Sequence, residues 1–254
     1  MIEDSYIYHE FKKFESEFKN SPGSTSLPLI RAQLPLGITA KKWKDQKYPA
    51  ACDRHKLLLQ THFVIPRYCF DCYKVEIHTG TVLEFFKLMF VFNDLNLENN
   101  NHRKLWLQAA KNKPENYIGT IYFQSLAEAI TVSENIRPII DNEVSPDVPI
   151  KVKRGCSEFN HILPKYHDIK ESYDSLVSDK NKWREIEFNF DRNNVASKLP
   201  AIKSDTNPSI DNFNIKHFNV MHTWLKFARS IGENTYLKVT KSSLDEMNSQ
   251  GSTG

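Results

Sequence analysis

Two neighbouring stretches with different periods constrain the fold of this chain most. In Tyr73-Lys74-Val75-Glu76-Ile77-His78 apolar and polar residues alternate, the two-residue period of a strand with one buried face. After the turn Thr79-Gly80-Thr81, the run from Val82 to Leu95 is apolar at helical steps, with Leu83, Phe86 and Phe90 on one row and Val82, Phe85 and Met89 on another. That pattern predicts a buried helix directly after the strand.

Similar elements recur downstream. Arg103 to Gln108 reads as a second strand, and Tyr117 to Phe123, rich in β-branched and aromatic residues, as a third. Ser125 with Glu128 three residues later is a capping box that opens a helix over Leu126–Ile136. Ile150 to Arg154 is a fourth strand. The order strand, helix, strand, strand, helix, strand predicts an α+β fold with a ferredoxin-like split βαβ core. Its antiparallel sheet would carry both helices on one face, with the first and fourth strands side by side.

Extensions flank this core. Tyr6, His9, Phe11, Phe14 and Phe18 recur at helical steps, and Ser21-Pro22-Gly23-Ser24 ends that helix. The stretch from Leu27 to Tyr48 reads as irregular, with Lys41, Lys42, Lys44 and Lys47 around Trp43. After Cys156 the chain becomes polar. One helix is expected within 171–190, a polar loop over 192–214, and an amphipathic helix from Phe218 to Ile231 closed by Gly232. Three regions follow: an N-terminal extension at 1–65, the core at 66–170 and a helical extension with a Ser-rich tail at 171–254.

Charge and cysteine content narrow the function classes. The net charge of +3, from 34 basic and 31 acidic residues, neither requires nor excludes a nucleic acid. No apolar run is long enough to span a bilayer. The acidic start Met1-Ile2-Glu3-Asp4-Ser5 is not followed by an apolar leader. The expectation is a cytoplasmic protein without a membrane span. The 4 cysteines are then expected as reduced thiols or metal ligands rather than disulfides.

Cys69-Phe70-Asp71-Cys72 has the spacing of a metal knuckle or a redox pair. The predicted topology sets the start of strand one beside the end of strand four, which brings Cys156 toward Cys69 and Cys72. Cys52, His55 or His161 could add a fourth ligand, and the expected ion is zinc. Alternation opposes this set, because it places Cys72 on the Lys74 face and Cys156 on the face of Ile150 and Val152.

The sheet face turned away from the helices is the second candidate site. Alternation assigns it Lys74, Glu76, His78, Thr120, Tyr122, Lys151 and Lys153. Cations interleaved with an aromatic suit single-stranded nucleic acid or another anionic ligand. Arg154, in Lys153-Arg154-Gly155-Cys156, could join an anion-binding turn. The C-terminal helix with Trp224 and Phe227 is the candidate cover for this face. Asn116–Phe123 with Ser125–Ala129 resembles the third strand and second helix of RNA-recognition-motif domains, although the basic-Gly-aromatic opening of that motif is missing. No phosphate-binding loop, dinucleotide turn, nucleophile elbow or zinc-protease helix occurs. The alternative to a binding protein is an enzyme using Cys69, Cys72 and Cys156, or a structural interaction protein.

Overall fold

The structure, a computed structural model, describes residues 2–19, 41–43, 48–99, 101–108, 116–194 and 215–240. The fold is α+β. The strands are β1 (Lys41–Trp43), β2 (Tyr73–Thr79), β3 (Arg103–Leu107), β4 (Tyr117–Phe123) and β5 (Ile150–Arg154). They form one sheet in the order β1-β3-β4-β2-β5, with every neighbouring pair antiparallel. The start of β2 lies opposite the end of β5, with Tyr73 across from Arg154, as the element order predicts. β1 is an added edge strand within the stretch expected to be irregular.

The helices are α1 (Asp4–Lys19), α2 (Tyr48–His62), α3 (Val82–Asp94), α4 (Leu126–Glu143), α5 (Tyr173–Leu176), α6 (Lys180–Asn194), α7 (Ile215–Ser230) and α8 (Tyr236–Thr240). α4 continues past the expected end at Ile136 and through Pro138, with Ile136 and Ile140 buried. The single helix expected within 171–190 is two. Ser172 and Ser175 form a capping box at α5, and the Asp179 carboxylate accepts from Lys182 N at 3.0 Å at the start of α6. Each cap begins a new helix because it satisfies backbone donors that an uninterrupted helix would already use.

α3 organises the packing. The Thr81 hydroxyl accepts from Glu84 N, and the Glu84 carboxylate accepts from Thr81 N, each at 3.2 Å. Nine of its residues are buried, from Val82 to Phe92, so it needs cover on most sides, with Glu84, Lys87 and Asp94 left as a narrow polar stripe. Its inner side lies on the sheet. Its outer side is covered by the terminal helices: the Trp224 ring is 4.5 Å from Phe85, Tyr6 is 5.4 Å from Phe90, and Phe11 is 6.3 Å from Phe86. This corrects the expectation that Trp224 and Phe227 cover the opposite sheet face. They belong to a third layer over α3, and Phe227 meets Tyr117 on the helix side.

The same layer supplies a second cap for α3. Gly232 has a φ of +76°, and Glu233 N closes back on Ala228 O at 2.9 Å. This turn presents the Glu233 carboxylate to Val82 N at 2.8 Å, where an anion meets the positive end of the helix. Gly119 shows how closely α3 meets the sheet. A Cβ there would lie 2.7 Å from Leu88 Cδ2 and 3.0 Å from Phe92 Cζ, and both of those side chains are fully buried. We expect Gly119→Ala to lower unfolding free energy by about 1–3 kcal/mol in urea denaturation. A substitution without effect would contradict this packing.

Candidate functional site

Two places carry chemistry. The first is at the end of β5, where a second apolar cluster is built from Ile65, Cys69, Phe70, Phe159, Tyr166, Tyr173 and Val177. Arg154 is its centre. As the last residue of β5 it shares the side of Tyr73, and it is only 3% exposed. Its guanidinium donates to the carbonyls of Phe70, Asp168 and Glu171 and lies 5.3 Å from the rings of both Tyr73 and Tyr166. The Tyr166 hydroxyl donates to Cys69 O at 2.7 Å. Burial pushes the Tyr166 phenol up, and the nearby thiols of Cys69, Cys156 and Cys72 reinforce this. Arg154 therefore binds the fold's own backbone, whereas the sequence reading expected it to face an external anion.

Cys72 sits on the face of Gly155, as alternation predicts. Gly155 N donates to Cys72 O at 2.8 Å, and a Cβ on Gly155 would lie 2.5 Å from Cys72 Sγ. Cys72 thus packs over Gly155, one position out of phase with Cys156. Cys69 is buried in the second cluster. Among the described residues, the donor group that holds Cys156 includes neither Cys69 nor Cys72. Cys52 belongs to α2, but its side chain is outside the described residues.

Cys156 is instead brought to His55, with Sγ 3.7 Å from Nε2. Cys156 is extended and precedes the short 3-10 turn Ser157–His161, which carries Glu158 alongside. Among the described residues, His55, Cys156 and Glu158 form a group whose donor atoms all lie within 4.8 Å of one another. His161 is outside it. His55 is buried and meets the Phe159 ring edge-on at 5.2 Å, which sets the imidazole plane. The donors are one nitrogen, one sulfur and one carboxylate oxygen, a set that zinc accepts. Separations of this size need a modest contraction around an ion, and Glu158 is exposed enough to supply it.

α2, which the sequence reading missed, delivers His55. Arg54 beside it makes a two-pronged contact with Asp191 of α6, at 2.7 and 2.9 Å, and reaches Glu187 at 3.1 Å. Burial works against the Arg54 charge, but these carboxylates and Tyr68 outweigh it and hold the guanidinium protonated. The signal was Arg54-His55 beside Cys52, whose partners lie far along the chain.

The second place is the sheet face opposite α3 and α4. The register confirms its composition. Lys74 lies between Tyr122 and Lys153, and Glu76 between Thr120 and Lys151. β3 adds residues that the sequence reading did not assign. Lys104 is opposite Thr120, and Trp106 is opposite Ile118. The Lys104 ammonium sits 5.5 Å from the Trp106 ring and 5.5 Å from the Tyr122 ring. His102 lies 5.6 Å from Tyr122, and the Trp106 indole donates to Thr120 Oγ1 at 3.1 Å. Glu76 is buried at the centre. Burial alone would push its carboxyl up, but His78 at 3.2 Å with Lys74 and Lys153 outweighs that and holds it well below the usual carboxylate range. His78 is itself buried and contacts Glu76.

Removing the Arg154 fork would strand buried carbonyls on two separate segments. We expect Arg154→Met to cost about 1–3 kcal/mol for each carbonyl left unpaired. Arg154→Lys should fail to rescue it, because one ammonium cannot reproduce the planar fork. Urea denaturation measures both, and full stability in Arg154→Lys would contradict the assignment.

No helix among the described residues is long and apolar enough to cross a membrane. Compared with protein-family models, with curated protein sequences and with solved structures, the chain gives no significant match.

Proposed function

We propose that this chain is a binding protein that takes single-stranded nucleic acid on the sheet face opposite α3 and α4. The observation that carries this reading is the Lys104 ammonium set equally over Trp106 and Tyr122. A half-buried ring on a central strand offers a base a flat apolar partner, and a cation beside it offers the neighbouring phosphate a counter-charge. Lys151, exposed on the adjoining row, extends the positive track. A face of this kind reads stacking and charge rather than base edges, so it suits ligands of mixed sequence.

Filter binding of single-stranded oligonucleotides across a salt series tests this. The logarithm of the affinity should fall with the logarithm of salt, by about 0.7 per phosphate neutralised. Tyr122→Ala should weaken binding by about 1–3 kcal/mol if one base stacks there. Binding without salt dependence, or unchanged in Tyr122→Ala, would contradict the reading.

The ion we assign to His55, Cys156 and Glu158 is zinc. The mixed nitrogen, sulfur and oxygen donors support it, and the location suits an ion that fastens α2 to the end of β5. Elemental analysis of the purified protein should find one equivalent of zinc. His55→Ala should lose it, and Cys69→Ser should keep it. Retention in His55→Ala with loss in Cys69→Ser would overturn the assignment. Because ligand binding and folding are linked, chelation should also lower thermal stability in the wild type and not in His55→Ala.

A further inference from the structure

The last turn of α2 and the second half of α6 border a cavity that shares no residue with the sheet face or the metal site. Its volume is about 210 Å³, and His62, Ile186, Asn189, Phe190 and Asn193 line it. Helical spacing sorts these residues. Ile186 and Phe190 are four apart on α6, and so are Asn189 and Asn193, so each pair forms one row of the helix surface. The apolar row is the floor: Phe190 is 8% exposed, and Ile186 is half-buried. The amide row is the rim, and both asparagines are exposed. His62, the last residue of α2, is the wall, with its ring edge-on to that of Phe190 at 5.9 Å and 88°. α2 stops there because Phe63 turns to a φ of +56°, while its N–H still reaches Leu59 O at 3.1 Å. Left-handed backbone is costly for a bulky residue, and such strain collects at ligand sites.

We infer that this cavity is a binding site for an adenine-type base. It is smaller than the sites of drug-sized ligands, which measure about 300–1,000 Å³, so it takes one flat ring system. An apolar floor that includes an aromatic ring suits the face of such a ligand. The rim decides what the ligand's edge must carry. A carboxamide sets a donor beside an acceptor, and it pairs with adenine through the amino group and the adjacent ring nitrogen. Among the described residues neither Asn189 nor Asn193 has a side-chain hydrogen-bond partner, so both amides are open to a ligand. Charge points the same way. None of the five lining residues carries a carboxylate, an ammonium or a guanidinium. The row beyond the floor, Glu187 and Asp191, is taken up by Arg54. The part of the ligand that enters is therefore neutral, which fits a base and not a phosphate. The base belongs to a free nucleoside or is splayed out of a strand, and the site is independent of the sheet face.

Titration of the isotope-labelled protein with adenosine, followed by heteronuclear NMR, reads the site directly. The side-chain amide signals of Asn189 and Asn193, assigned by their loss in N189A and N193A, should shift and saturate together with the signals of His62. At least one of the two variants should bind adenosine about 5- to 150-fold more weakly, the loss of one bidentate pair. Alanine is the better helix former, so both variants keep α6 folded. Adenosine dimethylated on its exocyclic nitrogen keeps the ring faces and lacks the donors, so it should not bind. Oligoadenylate that displaces adenosine from these residues identifies a base within a strand as the ligand. Failure to displace it identifies the free nucleoside, and either result supports the site. No saturable shift at Asn189 and Asn193, unchanged affinity in both variants, or equal binding of the dimethylated nucleoside would each overturn the inference. Shifts confined to Trp106 and Tyr122 would also overturn it, while leaving the nucleic-acid reading of the sheet face in place.

Discussion

A buried guanidinium at the end of β5 holds together the part of the molecule that carries its thiols. Arg154 is placed by strand alternation on the side of Tyr73, where a charge would be expelled unless it found acceptors. It finds three carbonyls, one on the turn before β2 and two on the segment after Tyr166. Those segments are far apart in sequence and neither belongs to the sheet. With the rings of Tyr73 and Tyr166 on either side, the guanidinium sets where Phe70, Tyr166 and Tyr173 pack. The second apolar cluster forms around this point, and the His55–Cys156 contact lies at its margin. A residue of the type that usually marks an external anion site is here a fastening of the fold.

The other organising constraint is α3. A helix buried on most of its sides needs more cover than the sheet of a two-layer domain provides. The terminal helices meet that demand, with Trp224, Tyr6 and Phe11 closing its outer side and Glu233 capping its first turn. The terminal helices, with Trp224 and Phe227, therefore pack on the helix side of the sheet. The layering of the helices thus follows from one feature, the apolar run from Val82 to Phe92.

The core was legible because its signals are local. Alternation in Tyr73–His78, the helical period from Val82 and the Ser125 cap each depend on residues a few positions apart, and the strand pairing followed from their order. The same alternation placed Cys72 and Cys156 on different faces, and Cys72 lies over Gly155 as that implies. α2 was not legible, because its helix has no strong apolar stripe and is docked by Arg54 onto Asp191 and Glu187 of α6. A pairing that spans so much chain leaves no periodic trace. For the same reason Glu158 was passed over as a ligand. Its proximity to His55 exists only once α2 is folded against the end of β5. Lys104 and Trp106 were legible as a strand but not as part of the sheet face, since that needed the pairing of β3 with β4.

The central claim is that Cys156 belongs with His55 and Glu158 and not with Cys69 and Cys72. X-ray absorption spectroscopy of the zinc-loaded protein tests it most directly, because sulfur scatters at about 2.3 Å and nitrogen or oxygen at about 2.0–2.1 Å. The account predicts a first shell in which nitrogen and oxygen outnumber a single sulfur. A shell of three or four sulfurs would contradict it and restore the cysteine cluster that alignment of the strand ends first suggested.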